Sequence, residues 1–225
     1  MNALLRLMTW LSPAFPVGGF SYSHGLERAV EQGLVTDRAG LISWVDTILR
    51  HGAGRSDAAM LLEAHAAQDD SKRLDKLVEL ADALRPSAEL ALESSAQGTA
   101  FLNTVANVWP DPWLDQWKIR LREQGRAPAY AVAVGMVASR CDVAALDACA
   151  AFLHAFAANL VSAAVRLVPL GQTDGMKAVA ALEPVALDCA QAALGRPFAD
   201  LGGATPMVDW CSLTHETQYT RLFRS

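Results

Sequence analysis

The chain has 225 residues, 52% hydrophobic and 19% charged, with Lys+Arg 19 against Asp+Glu 24 and a formal net charge of −5. That length is enough to bury a substantial core in one domain without disulfides or a structural metal. The apolar content argues against disorder, and the acidic balance, with no long basic block, argues against a nucleic-acid binder, whose footprint is a basic face.

Helical periodicity dominates from one end to the other, and no convincing period-two run interrupts it. The first residues, Met1 to Leu11, carry one positive charge, are broken at once by Ser12-Pro13 and lack a small-residue cleavage site, so no secretory leader is expected. Residues 12–27 then form a loop in which two prolines and Gly18-Gly19 force a turn before a helix that Ser21 or Ser23 can cap. Thr36-Asp37 predicts a cap for a helix through Leu41, Trp44, Val45, Ile48 and Leu49, stopped by Gly52 to Gly54. Ser56-Asp57 offers the next cap, before Met60, Leu61 and Ala64, and Ser71 opens a segment in which Leu74, Leu77, Val78 and Ala81 share a face until Pro86.

Beyond Pro86 the pattern resumes through Leu90, Ser94, Gly98, Phe101, Leu102 and Val105 until Pro110-Asp-Pro, and another helix starts near Trp113. Residues 125–128 separate it from a short apolar segment, 129–139. The Ala-rich run 143–168 reads as the longest buried helix, ended by Pro169. Between Asp147 and Arg166 it carries no formal charge, but alanine contributes little to membrane insertion and His154, Asn159 and Ser162 interrupt it, so a central buried helix is expected rather than a membrane span. Residues 174–194 read as a helix containing Pro184, either kinked or split into two helices end to end. Gly202-Gly203 and Pro206 then leave room for a short helix before an extended tail. The expected fold is all-α, a single-domain helical bundle of about ten helices over residues 1–212, with an extended C-terminal tail over 213–225.

Three segments carry candidate chemistry. In the first loop, glycines and hydroxyls before a helix suit an anion, but Gly18, Gly19 and Gly25 do not form Gly-x-Gly-x-x-Gly and no strand precedes them. His24 and Glu27, three apart, can share one helical face toward a polar cavity or a metal, or simply form a structural pair. In the second segment Gly171 and Gly175 are too close for a phosphate loop and Met176 separates glycine from Lys177, so this chain is not expected to hold GTP or ATP that way. Arg166 ends the charge-free run, so its guanidinium must be paired, face a water-filled cavity, reach a partner or extend to solvent at a helix C-terminus. In the third, Tyr219, Leu222 and Phe223 lie among Arg221 and Arg224 like the anchors of a docking peptide, with packing on its own domain as the alternative.

Cys141, Cys149, Cys189 and Cys211 form no Cys-x-x-Cys pair and read as free, mostly buried thiols of a cytoplasmic protein. The five histidines are scattered, and neither Gly-x-Ser-x-Gly nor His-Glu-x-x-His occurs. These features favour a helical interaction protein over an enzyme. A small-molecule enzyme with a pocket built from His24, Glu27 and Arg166 stands as the alternative.

Ser12-Pro13, Pro16-Val-Gly-Gly-Phe-Ser-Tyr-Ser-His-Gly-Leu-Glu27, Arg166-Leu-Val-Pro-Leu-Gly-Gln172 and His215-Glu-Thr-Gln-Tyr-Thr-Arg-Leu-Phe-Arg-Ser225 together resemble the UreF family of urease accessory proteins. The stretch 89–102, with Glu93, Gln97 and Gly98, is similar to the family's middle segment, so the likeness spans the chain. The resemblance implies an all-α homodimer, cytoplasmic and non-enzymatic, that bridges UreD (also called UreH) and the GTPase UreG and docks on apo-urease, without nucleic acid or membrane. No cofactor is then bound by this chain, because nickel and GTP act through UreG.

Carried over by residue, Glu27 and Arg166 match acidic and basic positions of a polar passage associated with metal transfer and control of UreG, with arginine where some relatives have lysine. Tyr22, Ser23 and His24 would line the same region, Gly171 and Gln172 would shape the loop beside Arg166, and Glu27 with His24 would make transient contact with nickel. The segment from His215 through Glu216, Tyr219, Arg221, Leu222 and Phe223 would dock on UreD. Near Pro128-Ala-Tyr130 relatives often carry a His-Tyr-Pro-Val-like string; the histidine is missing here, and its role does not transfer.

Overall fold

Side-chain caps decide where many of the helices begin. The computed structural model describes residues 3–68 and 70–225, and among them places eleven α-helices, two 3-10 turns and no strand. Helix α1 (Ala3–Trp10) ends at the predicted break, and the loop after it leads into the short α2 (Leu26–Glu31). Asp37 caps α3 (Arg38–His51), its carboxylate accepting from the Gly40 N–H at 2.7 Å. Asp70, one residue before the predicted Ser71, caps α5 (Ser71–Ala83), and Ser87 caps α6 (Ala88–Val108). Asp111 followed by Pro112 opens α7 (Pro112–Glu123).

Helix α4 (Ala53–Ala67) corrects two expectations at once. Gly52 does end α3 as its C-cap, but Gly54 is no stop and lies inside α4, where a Cβ would meet the Leu49 Cα at 2.6 Å. Nor does Ser56-Asp57 cap anything; Asp57 turns inward and pairs with Arg85 at 2.6 Å. A glycine needed for close approach outweighs the roughly 1 kcal/mol by which it disfavours a helix.

The core forms around α8 (Tyr130–Arg140), in which every residue from Ala131 to Ser139 is buried. It packs on α4 and α6, while α9 (Ala145–Leu167) packs along α10 (Gln172–Leu194), which in turn covers α3 and α4. Phe101 of α6 is fully buried, with the rings of Trp10, Phe15 and Tyr130 at centroid distances of 6.1, 5.5 and 5.7 Å.

Helix α9 is long and apolar enough to cross a membrane by length and composition, but only half of that apolar window is buried in the protein. It shares the greatest length, 23 residues, with α10, and one face with His154, Asn159 and Ser162 opens onto a groove. Helix α10 runs unbroken through Pro184, which sits on the exposed side together with Ala180. The carbonyl that loses its donor there faces water, so no second helix is needed. Helix α11 (Pro206–His215) carries the helical part past Leu213, so the irregular tail begins at Glu216.

Candidate functional site

The loop and the tail meet. His24 (φ 58) and Gly25 (φ 76) are both left-handed, which swings the chain sharply into α2. A Cβ on Gly25 would lie 2.9 Å from the Ser212 backbone nitrogen, so α11 rests directly on this turn. His24 therefore precedes the helix instead of sharing a helical face with Glu27, and the expected pairing by spacing does not form. Both residues are nevertheless buried, at 5% and 7% exposure.

Glu27 receives the tail. Its Oε1 accepts the Leu222 N–H at 2.7 Å, and its Oε2 accepts the Phe223 N–H at 3.0 Å and faces His215 Nε2 at 3.1 Å. The other His215 nitrogen, Nδ1, lies 2.6 Å from a Glu89 oxygen, and Arg221 donates to the second Glu89 oxygen at 2.5 Å. A continuous polar row thus runs from Glu27 through His215 and Glu89 to Arg221. His215 is fully buried, so it is part of the support and not of an exposed docking segment.

A second set of contacts holds the last residues. Ser225 is completely buried: its carbonyl accepts from the Ser23 N–H at 3.1 Å and from the Ser23 hydroxyl. Its own hydroxyl donates to Glu93 at 2.7 Å and accepts from the His24 N–H at 3.2 Å. Gln97 donates to the other Glu93 oxygen at 3.3 Å, and His24 stands 3.8 Å from Glu93 with Phe156 edge-on at 5.2 Å. Arg224 donates its N–H to the Ser21 carbonyl at 2.9 Å, so loop and tail are laced together on both sides of Tyr22, itself buried.

Arg166 completes the site from α9. It donates to the carbonyls of Ser162 (3.2 Å) and Phe20 (3.0 Å), and its guanidinium lies against the rings of Phe20 (3.7 Å) and Phe223 (4.3 Å). Burial without a neighbouring carboxylate pulls its pKa below the ordinary arginine value. Phe223 therefore spans the two predicted residues, its N–H on Glu27 and its ring on Arg166.

His24, Glu27 and Arg166 engage different neighbours and do not converge into the pocket of the enzyme alternative. Gly171 and Gln172 are exposed at the start of α10, and neither is among the groups that Arg166 touches. Glu216, Tyr219 and Leu222 are exposed. The roles of Glu89 and Ser225 are not evident from the motifs alone. A usable signal was present for α6: Glu89, Glu93 and Gln97 recur every four residues, placing one polar line along a largely apolar helix.

Beside this cluster lies a groove of about 800 Å³, lined by Leu7 and Met8 of α1, Phe20, Glu93, Gln97 and the open face of α9. Among the described residues no group of three or more His, Cys, Asp or Glu is arranged to hold a metal ion. Both His215 nitrogens already face carboxylates. All four cysteines are free, and burial pushes the Cys149 thiol up to about 12 and Cys211 up to about 11, which keeps both protonated and unreactive.

Comparison with known proteins gives this geometry its context. The UreF family model matches residues 35–183, which include Glu93 and Arg166. The chain is 50% identical to the urease accessory protein UreF of Bradyrhizobium sp. (strain ORS 278), covering 100% of this chain and 93% of the relative. Against the proteins of the same name from Rhodopseudomonas palustris (strain HaA2) and Magnetococcus marinus, identity is 50% and 46%, over 99% of this chain and 94% and 98% of the relatives. These full-length matches take in the loop and the tail as well, and the relatives are named as urease accessory proteins. From the α-helical core that the family model matches to the loop and tail that the relatives share, the chain belongs to the UreF family of urease accessory proteins.

Proposed function

We propose that the chain bridges UreD (UreH) and the GTPase UreG during urease maturation and promotes GTP-dependent delivery of nickel to apo-urease. Nickel is cargo in this reading: UreG carries both ion and nucleotide, and this chain keeps no resident cofactor. By binding one state of UreG better than the other, it would hold the nickel-bearing state until GTP hydrolysis releases the ion.

The single observation that carries the reading is the tail. Its backbone is pinned at Glu27, Ser21 and Ser23, while Tyr219 and Leu222 remain exposed at 103% and 64%. Large apolar side chains held outward on an anchored backbone are what a docking surface requires, since the ordering cost is largely met before the partner arrives. Exposed Leu4, Leu5 and Met8 of α1, beside the groove, provide an apolar face suited to a homodimer. We place the protein in the cytoplasm, where its free thiols stay reduced.

The test is urease activity in a nickel-supplied urease-operon host deleted for this gene. It is complemented with the full chain, with a chain ending after Leu213, or with the double variant Tyr219→Ala/Leu222→Ala. The full chain is expected to restore activity, the shortened chain to restore none, and the double variant to lose most of it while folding normally. Failure of the full chain to rescue, when soluble and expressed, would overturn the role; full rescue by the double variant would remove docking from the tail.

A further inference from the structure

We propose that Glu27 is the residue that positions the tail on Arg166, acting through backbone hydrogen bonds to Leu222 and Phe223 and not as a ligand that passes metal. The inference rests on the accessory reading only for its effect on urease; its structural part can be tested on the purified chain.

The capacity of the carboxylate decides the matter. Oε1 accepts from Leu222, and Oε2 accepts from Phe223 while facing His215. A carboxylate has about four acceptor positions, so most of them are committed inside a side chain only 9% exposed. A cation that took more than the one remaining position would have to displace a backbone donor or the His215 ring nitrogen, leaving a donor without its partner. Hydrogen bonds to an ionised acceptor are also stronger than neutral ones, so this grip holds two successive residues of the tail firmly.

What the grip accomplishes is visible one residue away. Fixing the Phe223 N–H fixes the origin of its side chain, and the ring then lies 4.3 Å from the Arg166 guanidinium, which also contacts Phe20. Arg166 takes carbonyls from Ser162 and Phe20 as its hydrogen-bond acceptors, so these two carbonyls and the two aromatic faces together set its orientation. Glu27 thereby controls a cation that it does not itself touch. His215 orients the carboxylate from α11, and the Ser23 hydroxyl accepts from the Glu27 N–H at 3.3 Å, which seats the residue at the start of α2.

Three variants of the full chain separate the two roles. Glu27→Ala removes the acceptor. Glu27→Gln keeps an oxygen for Leu222 but abolishes the charge needed by a metal ligand. Leu222→Pro deletes one donor and leaves Glu27 untouched. Amide exchange over residues 216–225 reports the tail in all three variants, trypsin cleavage after Arg221 reports it wherever residue 222 is leucine, helicity reports the fold, and urease complementation reports function. Tail exchange is expected to accelerate at least about tenfold in Glu27→Ala and Leu222→Pro, and only severalfold in Glu27→Gln, with cleavage after Arg221 following the same order in the two Glu27 variants and helicity unchanged. Maturation should follow the same order, and nickel added to the wild-type chain should leave tail cleavage unaltered.

The proposal is overturned if Glu27→Ala and Leu222→Pro keep wild-type tail protection, if Glu27→Gln loses maturation as completely as Glu27→Ala with its tail protected, or if nickel frees the wild-type tail. Should Glu27→Ala fail to fold, Leu222→Pro alone decides, because a metal ligand at position 27 would not respond to it. Failure of the wild-type chain to support urease would overturn the accessory reading while leaving the tail measurements interpretable.

Discussion

Helix α8 and the cradle of the tail are both buried, yet they are held by different physics. Along α8 the packing is almost wholly apolar, with Val132, Val134, Met136 and Val137 fully enclosed and Gly135 set against the Leu61 backbone of α4. Such packing is non-directional and spread over many neighbours, so its stabilisation is shared by the whole fold. Around the tail the buried groups are Ser23, Glu27, Glu93, His215 and Ser225, joined by directed hydrogen bonds. Each depends on a particular partner, and removing one leaves another buried polar group unsatisfied. Damage to α8 should therefore unfold the chain, whereas damage to the cradle should release ten residues and spare the rest.

The comparison is tested most severely at Gly135. A Cβ there would overlap the Leu61 carbonyl, which is backbone and cannot rotate away. Gly135→Val is expected to cost about 3 kcal/mol or more, read as a large drop in urea midpoint or loss of soluble protein. Wild-type stability would mean that α4 and α8 can separate without penalty, and the contrast with the cradle would collapse.

An intermediate case lies between the two regions. Asp57 and Arg85 form an ion pair at 2.6 Å, with side chains 12% and 9% exposed, and Arg85 also donates to Ser94 at 2.9 Å. Asp57→Ala leaves a buried guanidinium without its counter-charge and should destabilise by roughly 3 kcal/mol. Adding Arg85→Met should recover much of that loss in chemical denaturation. If the double variant is no better than the single one, the pair is not acting as a matched unit.

The smallest effect belongs at the surface. Hydrogen bonding from Arg120 holds the Asp75 carboxyl below its ordinary value. Because the folded pKa is depressed, the stability it contributes is present above the unfolded value of about 4 and is lost as pH falls through the folded pKa. Neutralising this pair with Asp75→Asn should flatten the acid limb of a thermal-stability profile slightly and leave Tm at pH 7 little changed. A Tm loss at pH 7 as large as that of Asp57→Ala would show that exposure does not grade these interactions as argued.

Much of the helical layout was legible because its signals are local. Asp37 and Ser87 cap helices through residues three positions away, and Pro110-Asp-Pro ends one helix and opens another. Misreadings occurred where a distant neighbour changed the meaning of a local signal. Gly54 stands inside a helix because Leu49 is pressed against it, and Asp57 faces Arg85 and not the start of α4. The candidate site shows the same division. The loop, Arg166 and the tail stood out as unusual strings, but the spacing of His24 and Glu27 suggested a shared helical face that the left-handed backbone at His24 prevents.

Residue order alone was sufficient for the all-α class, most helix boundaries, the absence of a phosphate loop from the late glycines and the likeness to the UreF family, since each depends on periodicity, capping or contiguous motif. Tertiary structure was required to turn the tail back onto its own domain, bury His215 between Glu27 and Glu89, and set Phe223 between Glu27 and Arg166. The hydrogen bonds among those contacts join residues more than a hundred positions apart. Hydrogen-bonding capacity and burial select them only after the helices have packed, and no local pattern encodes which donor a buried carboxylate will meet.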